Sequence, residues 1–239
     1  MGLKLLTAPT IWPVSLAAAR QQVRIVHDDD DLLLWNDDLS NPGLVQLATR
    51  YLEQRWNVSL LAQQWELSAD GWYDQRYWRE GEYIKAYRSM FGGRTLIGDI
   101  LNVGGVGRVG AIYLPRPPLE TVDKIQYFDS NGVLQTLATT VYEYDSYNRP
   151  GRVSLKPFQI WPFPQIGKVQ DAVRIQFTSG FTSVANLFTT WPGVIQAIKI
   201  LVATWYQSPE ASVTGTISTP IKWTLDELSS QYDFNVMGW

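Results

Sequence analysis

Three clusters in this chain carry residue types that chemistry needs, and each is decided by what surrounds it. Gly105-Val106-Gly107-Arg108-Val109-Gly110 matches the GxGxxG dinucleotide fingerprint letter for letter. That fingerprint works because its last glycine opens a helix whose N-terminus receives the pyrophosphate. Here it opens Ala111-Ile112-Tyr113-Leu114-Pro115-Arg116-Pro117-Pro118, whose prolines exclude a helix. The stretch therefore reads as a flexible loop. His27 beside Asp28, Asp29, Asp30 and Asp31 suggests a metal site. Consecutive acids cannot all point at one ion, however, and the calcium-loop spacing with its glycine and terminal glutamate is absent. The quartet reads as a solvated cluster at a helix start, where the helix dipole favours negative charge. The carboxylate pairs Glu80/Glu82 and Glu143/Asp145 have the composition of a glycosidase site. Their simpler reading is as solvent-facing residues at alternate strand positions.

Composition removes other chemistry. There is no cysteine and His27 is the only histidine, which nearly excludes zinc sites and Ser-His or Cys-His catalysis. No cofactor is implied. The sequon Asn57-Val58-Ser59 carries no meaning without a secretory signal, and the segment before Ser15 lacks a signal-peptide core. A net charge of −3 with no basic block argues against phosphate-driven nucleic-acid binding. No run of apolar residues is long enough for a membrane span. Eleven tryptophans and twelve tyrosines are many for 239 residues and suit extensive interfaces. Six residues concentrate that signal: Trp72, Tyr73, Tyr77, Trp78, Arg79 and Tyr83, followed by Tyr87 and Arg88. Such a cluster serves a sugar- or base-stacking platform or a protein interface. The acidic net charge favours the interface.

The elements that must position these residues are legible in part. Residues 191–207 form the clearest helix, with Thr190 as its cap and Pro192 in its first turn. Ile195, Ile198, Val202 and Trp205 lie on one face, and Val194, Ala197, Leu201 and Tyr206 on the adjoining one. A helix apolar over most of its circumference needs cover on more than one side, so Ile195, Ile198, Val202 and Trp205 are candidates for packing between subunits. Ser15 caps a helix over 15–26, and a further helix over 44–56 carries a stripe of Leu44, Ala48, Tyr51 and Leu52 beside Trp56. A strand is expected over 59–68, and residues 69–110 form an excursion without clean periodicity. Lys124 to Leu137 reads as a hairpin turning at Asn131-Gly132. Strands follow around Val141-Tyr142, Arg152 to Lys156 and Asp171 to Gly180. Beyond Pro209, a Ser/Thr/Gly/Pro linker leads to a short amphipathic stretch and an aromatic terminus.

The ordered set of segments resembles the head–tail connector (adaptor) family of tailed double-stranded DNA bacteriophages. The residues that carry the resemblance are Pro13 to Ala19, the acidic turn 28–31, Gln64-Trp65-Glu66-Leu67 and Leu114-Pro115-Arg116-Pro117-Pro118-Leu119. Lys124 to Asp129 with Asn131-Gly132, Pro150-Gly151-Arg152-Val153, Ala172 to Gly180, and Pro192 with Ile195 and Ile198 complete it. The excursion over 69–110 and the tail beyond Pro209 are longer than the family pattern.

What the resemblance implies is structural. It implies an α+β fold, a small bundle of three to four helices with a β-rich insertion and an extended C-terminal arm. The expected parts are a helical region 1–58, an insertion 59–188, a core helix 189–208 and an arm 209–239. It also implies a non-enzymatic virion protein of the neck, present in the host cytoplasm during assembly. Copies would form a ring, commonly dodecameric, between the portal protein and a downstream neck or tail-completion protein, with DNA only as passing cargo. In the arm, Trp223, Leu225, Leu228, Tyr232, Phe234 and Trp239 would dock on the portal. The alternative is a tail or baseplate module whose aromatic surface binds carbohydrate.

Overall fold

The computed structural model describes residues 2–36, 40–72, 111–162 and 170–207, with residue 227 alone beyond them. In chain order the elements are β1 (Gly2–Thr7), α1 (Leu16–Val23), α2 (Asp31–Leu34), α3 (Leu44–Trp56), β2 (Gln63–Ala69), β3 (Ile112–Tyr113), β4 (Leu119–Phe128), β5 (Leu134–Thr136), β6 (Tyr142–Asp145), β7 (Arg152–Leu155), β8 (Val173–Ser179), α4 (Val184–Thr190) and α5 (Pro192–Gln207). The class is α+β, as the sequence predicts. The chain divides into two units. The helical unit draws on the described parts of Thr7–Gln63, Arg116–Glu120 and Ser179–Trp239, and the β unit on those of Met1–Leu6, Gln64–Pro115 and Thr121–Thr178.

In the helical unit, α5 packs against α1, α3 and α4. Val194, Ala197, Ile198, Leu201 and Val202 of α5 meet Val45, Ala48, Leu52 and Trp56 of α3 in one hydrophobic core. Ala19 of α1, Leu187 of α4 and the fully buried Trp191 join that core. Burial of this many large side chains is the main favourable contribution to folding, at roughly 1.5–3 kcal/mol for each.

Local sequence explains the helix ends. The Ser15 hydroxyl accepts from the Ala18 N–H at 3.3 Å, the cap expected for α1. Asn57 ends α3 in the left-handed region at φ 52°, a conformation asparagine tolerates. Thr190 does not cap α5. It closes α4, a helix the sequence reading passed over, whose own cap is Ser183, accepting from the Asn186 N–H at 3.2 Å. The stripe on α3 is also rotated from expectation. Val45, Ala48, Thr49, Leu52, Glu53 and Trp56 face inward and Tyr51 faces out; Thr49 donates to the Val45 carbonyl of its own helix, and Glu53 accepts from the Leu60 N–H.

The β unit holds a five-stranded sheet in the order β1-β2-β8-β4-β5 and a three-stranded sheet in the order β3-β7-β6. The hairpin expected at Asn131-Gly132 joins β4 and β5 antiparallel, with Gln126 opposite Thr136 and Phe128 opposite Leu134. Gly132 supplies the positive φ of 77° that the turn needs. Asp129 fixes it by accepting from the backbone N–H groups of Asn131 and Val133 and from Gln135 Nε2. Strand β2 begins at Gln63, four residues after the expected start at Ser59. Val173, Ile175 and Phe177 of β8 alternate with half-exposed polar residues, the period-two pattern of a sheet buried on one face.

Candidate functional site

The groups singled out for chemistry are occupied with holding structure. Asp31 accepts from Nε and Nη2 of Arg20 with its two carboxylate oxygens, and Asp30 accepts from the Tyr206 hydroxyl at 2.6 Å. The acidic quartet therefore ties α1 and α5 to the start of α2 rather than standing wholly in water. His27 sits 3.5 Å from Asp29, both well exposed. Among the described residues no group of three or more His, Asp or Glu is placed to hold a metal ion. Asp145 accepts from Asn148 Nδ2, from Arg152 and from the Tyr147 and Asn148 N–H groups. With Asn148 and then Arg152 as the main causes, its carboxyl is held down to about 2. Glu143 reaches Ser154 at 3.5 Å. The pair Glu143/Asp145 is thus part of a strand and turn framework. Glu80, Glu82 and Gly105 to Gly110 lie outside the described residues, and Ile112–Tyr113 just beyond the glycines is a strand.

One carboxylate that sequence reasoning missed is buried. Glu53, 8% exposed, accepts from the Leu60 N–H at 2.8 Å and from Gln63 Nε2 at 2.7 Å. Arg116 donates to the Glu53 backbone carbonyl at 2.8 Å. Burial pushes the Glu53 carboxyl up to about 7, although both hydrogen bonds and the nearby Arg116 pull it down. This node fixes the end of α3, the turn after it and the Pro115-Arg116-Pro117 segment. The available signal was its spacing: Thr49, Leu52, Glu53 and Trp56 share one helical face with the core.

The residues expected to pack between subunits divide. Ile198 and Val202 are 0% and 1% exposed within their own subunit. For these two the expectation of cover by a second copy is corrected, because α1, α3 and α4 already sheathe that side of α5. Ile195 and Trp205 are only partly buried. Trp205 meets Tyr51 edge to face, with ring centroids 5.8 Å apart, beside the exposed Leu47 one turn away on α3.

Trp72 also departs from expectation. It is 3% exposed, stacks on Trp161 at 4.5 Å and donates from Nε1 to the Pro162 carbonyl at 2.6 Å. It is a packing anchor of the β unit rather than part of an exposed aromatic surface. Tyr73, Tyr77, Trp78, Arg79 and Tyr83, and the arm residues Trp223, Leu225, Leu228, Tyr232, Phe234 and Trp239, lie outside the described residues.

The accessible apolar surface is elsewhere. In the β unit, Phe158 and Ile160 are 104% and 75% exposed, and Phe158 is held at φ 64°. A bulky residue in the left-handed region is uncommon. Leu5, Leu6, Val133 and Leu134 on the two edges of the five-stranded sheet are exposed as well. In the helical unit, Leu32 and Leu33 of α2 face solvent, as does Val26 before it. These exposed apolar residues lie in both units.

No single described helix is long and apolar enough to cross a membrane; α4 and α5 together reach that length and composition but meet at a bend of 105°. No protein-family model matches the sequence, and no curated protein does. Among solved structures, the fold is similar to a chain from the neck of an empty GTA particle computed with C6 symmetry, at a TM-score of 0.62 and 18% identity, covering 95% of each chain. It is similar at 0.57 and 18%, again covering 95% of each, to a chain in the virion of a native gene transfer agent (GTA) particle. A chain from the neck of a native GTA particle computed with C12 symmetry matches at 0.54 and 19%, covering 95% of this chain and 94% of that one.

Proposed function

We propose that this chain is a structural protein of the neck in a tailed, phage-like particle: a head–tail adaptor that assembles as a ring between the portal and the next neck or tail component. The observation that carries this reading is the full-length likeness to neck chains of the gene transfer agent, which extends over both units and leaves almost nothing of either chain unmatched. Those necks were computed with sixfold and twelvefold symmetry, which fits a ring of identical copies here. The ordered segments that resemble the adaptor family point the same way. So do the exposed apolar side chains, which a ring and its neighbours would cover. Asp30, Asp31, Glu53 and Asp145 serve as structural ties, in keeping with a mechanical role of joining, sealing and letting DNA pass.

Removing the gene from a producing cell tests this. Filled or empty heads separate from free tails are the expected product. Intact tailed particles lacking the chain would refute it. The same reading assigns residues 209–239 to the portal, with Trp223, Leu225, Leu228, Tyr232, Phe234 and Trp239 as the apolar side of a docking arm. Deleting residues 212–239 should abolish binding of the chain to the portal, and unimpaired binding would remove that assignment.

A further inference from the structure

Among the described residues Glu53 is the only carboxylate that is buried. One oxygen, Oε1, takes both of its hydrogen bonds, from the Leu60 N–H at 2.8 Å and from Gln63 Nε2 at 2.7 Å. Arg116 directs Nη1 to the Glu53 backbone carbonyl rather than to the carboxylate. The charged groups that face the carboxyl are Arg116 and, one turn back on α3, Arg50. Residues 57–63 and 179–181 contribute none. Burial penalises the charge of such a group more than two neutral donors offset it, so the neutral form is favoured. The rise of the Glu53 carboxyl to about 7 agrees with this geometry.

The residues bonded to Glu53 are in turn bonded to two other segments. Phe181 donates to the Leu60 carbonyl at 3.2 Å, and Ala62 donates to the Phe181 carbonyl at 2.9 Å. Ser59 donates to the Pro117 carbonyl at 3.0 Å and accepts from the Ser179 hydroxyl at 2.8 Å. Gly180 donates to the Pro118 carbonyl at 2.8 Å. Residues 59–63, 116–118 and 179–181 are laced together in this way, and all belong to the helical unit. Each segment lies where the chain passes between the units: after Gln63, before Arg116 and before Ser179. We infer that Glu53 is a pH-sensitive latch on these three segments: its neutral carboxyl holds them closed at the end of α3, and its ionisation loosens them together while the helical core stays folded. Opening the latch lets water reach the carboxyl, which the ionised form gains from and the neutral form does not. Rising pH between 4.5 and about 7 therefore favours opening.

Amide hydrogen exchange of the full chain between pH 5 and pH 8, corrected for the intrinsic pH dependence of exchange, tests this. The amides of Ser59, Leu60, Gly180 and Phe181 should be less protected than those of Ile198 and Leu201, because their opening is smaller than unfolding. Their protection should fall by roughly 10–100-fold across this range and level off above the pH at which the Glu53 carboxyl titrates. In Glu53→Gln the protection of the same amides should be flat. Titration of the Glu53 carboxyl by carbon NMR in the natural chain gives its midpoint independently, so the two measurements can be compared even if the variant does not fold. Amides of the three segments as protected as those of α5 at every pH would mean that they open only with the whole unit, and would overturn the latch. So would protection that does not change with pH, protection that falls equally in Glu53→Gln, or a carboxyl that titrates near 4.5.

Discussion

Helix α5 and strand β1 are both rich in aliphatic residues and nearly without charge, yet they end in opposite environments. The helix is the more apolar and looks, by pattern, like a seam between subunits. It is buried instead, with Val194, Ala197, Ile198, Leu201 and Val202 inside the helical unit. The strand is short, lies at the edge of a sheet among the described residues, and has Leu5 and Leu6 exposed. Hydrophobicity fixes how strongly a segment must be covered, and position in the architecture fixes who covers it. A central helix is covered by its own chain. An edge strand such as β1 has only one neighbouring strand among the described residues.

Substitutions in the two regions should therefore differ in what they cost the fold. Ile198→Ala opens a cavity in the helical core and is expected to destabilise the isolated subunit by about 2–5 kcal/mol, read as a fall in denaturation midpoint. Little or no loss would mean that α5 is less fixed in this core than its contacts imply. Gly180→Ala follows. Gly180 sits at φ 102°, and an added Cβ would lie 2.2 Å from the Leu61 carbonyl oxygen. Backbone strain of about 1–3 kcal/mol is expected, before any shift of the neighbouring chain. A midpoint unchanged in Gly180→Ala would show that the segment relaxes freely.

The third test uses pH. The carboxyl of Glu53 is raised from 4.5 to about 7 by burial. Between those values the folded chain binds more protons than the unfolded one. The contribution is thus fully present below the unfolded value and is lost as pH rises through about 7. Glu53→Gln keeps an acceptor for the Leu60 N–H and removes that slope. Its thermal midpoint should exceed that of the natural chain at pH 8 and match it more closely at pH 5. Parallel pH profiles would show that Glu53 does not titrate in this range. The smallest effect on stability is expected from Leu5→Ser with Leu6→Ser, within about 0.5 kcal/mol for the isolated subunit. A midpoint lowered as far as that of Ile198→Ala would erase the contrast between α5 and β1.

How much of this was legible in the sequence follows from the range of the interactions involved. The ends of α1 and the turn at Gly132 were readable because a serine hydroxyl and an Asn-Gly pair act within a few residues. The run of α5 was equally plain from its periodicity. Its start was misplaced because Thr190 and Trp191 sit between two helices, and a local pattern cannot tell the end of one from the cap of the next. The rotated face of α3 depended on partners seven and ten residues from Glu53, out of reach of a helical wheel. The candidate surface was the least legible part. Trp72 looked like interface by type and is buried by its stack on Trp161, a residue far along the chain. Leu5 and Leu134 gave no compositional signal, because their exposure is a property of sheet order.

The most direct test is a reconstruction of the neck of a particle that carries this chain, at a resolution that traces strands. A closed ring of identical copies between head and tail is the predicted result. A neck in which this chain is absent, or is present without closing into a ring, would contradict the proposed role.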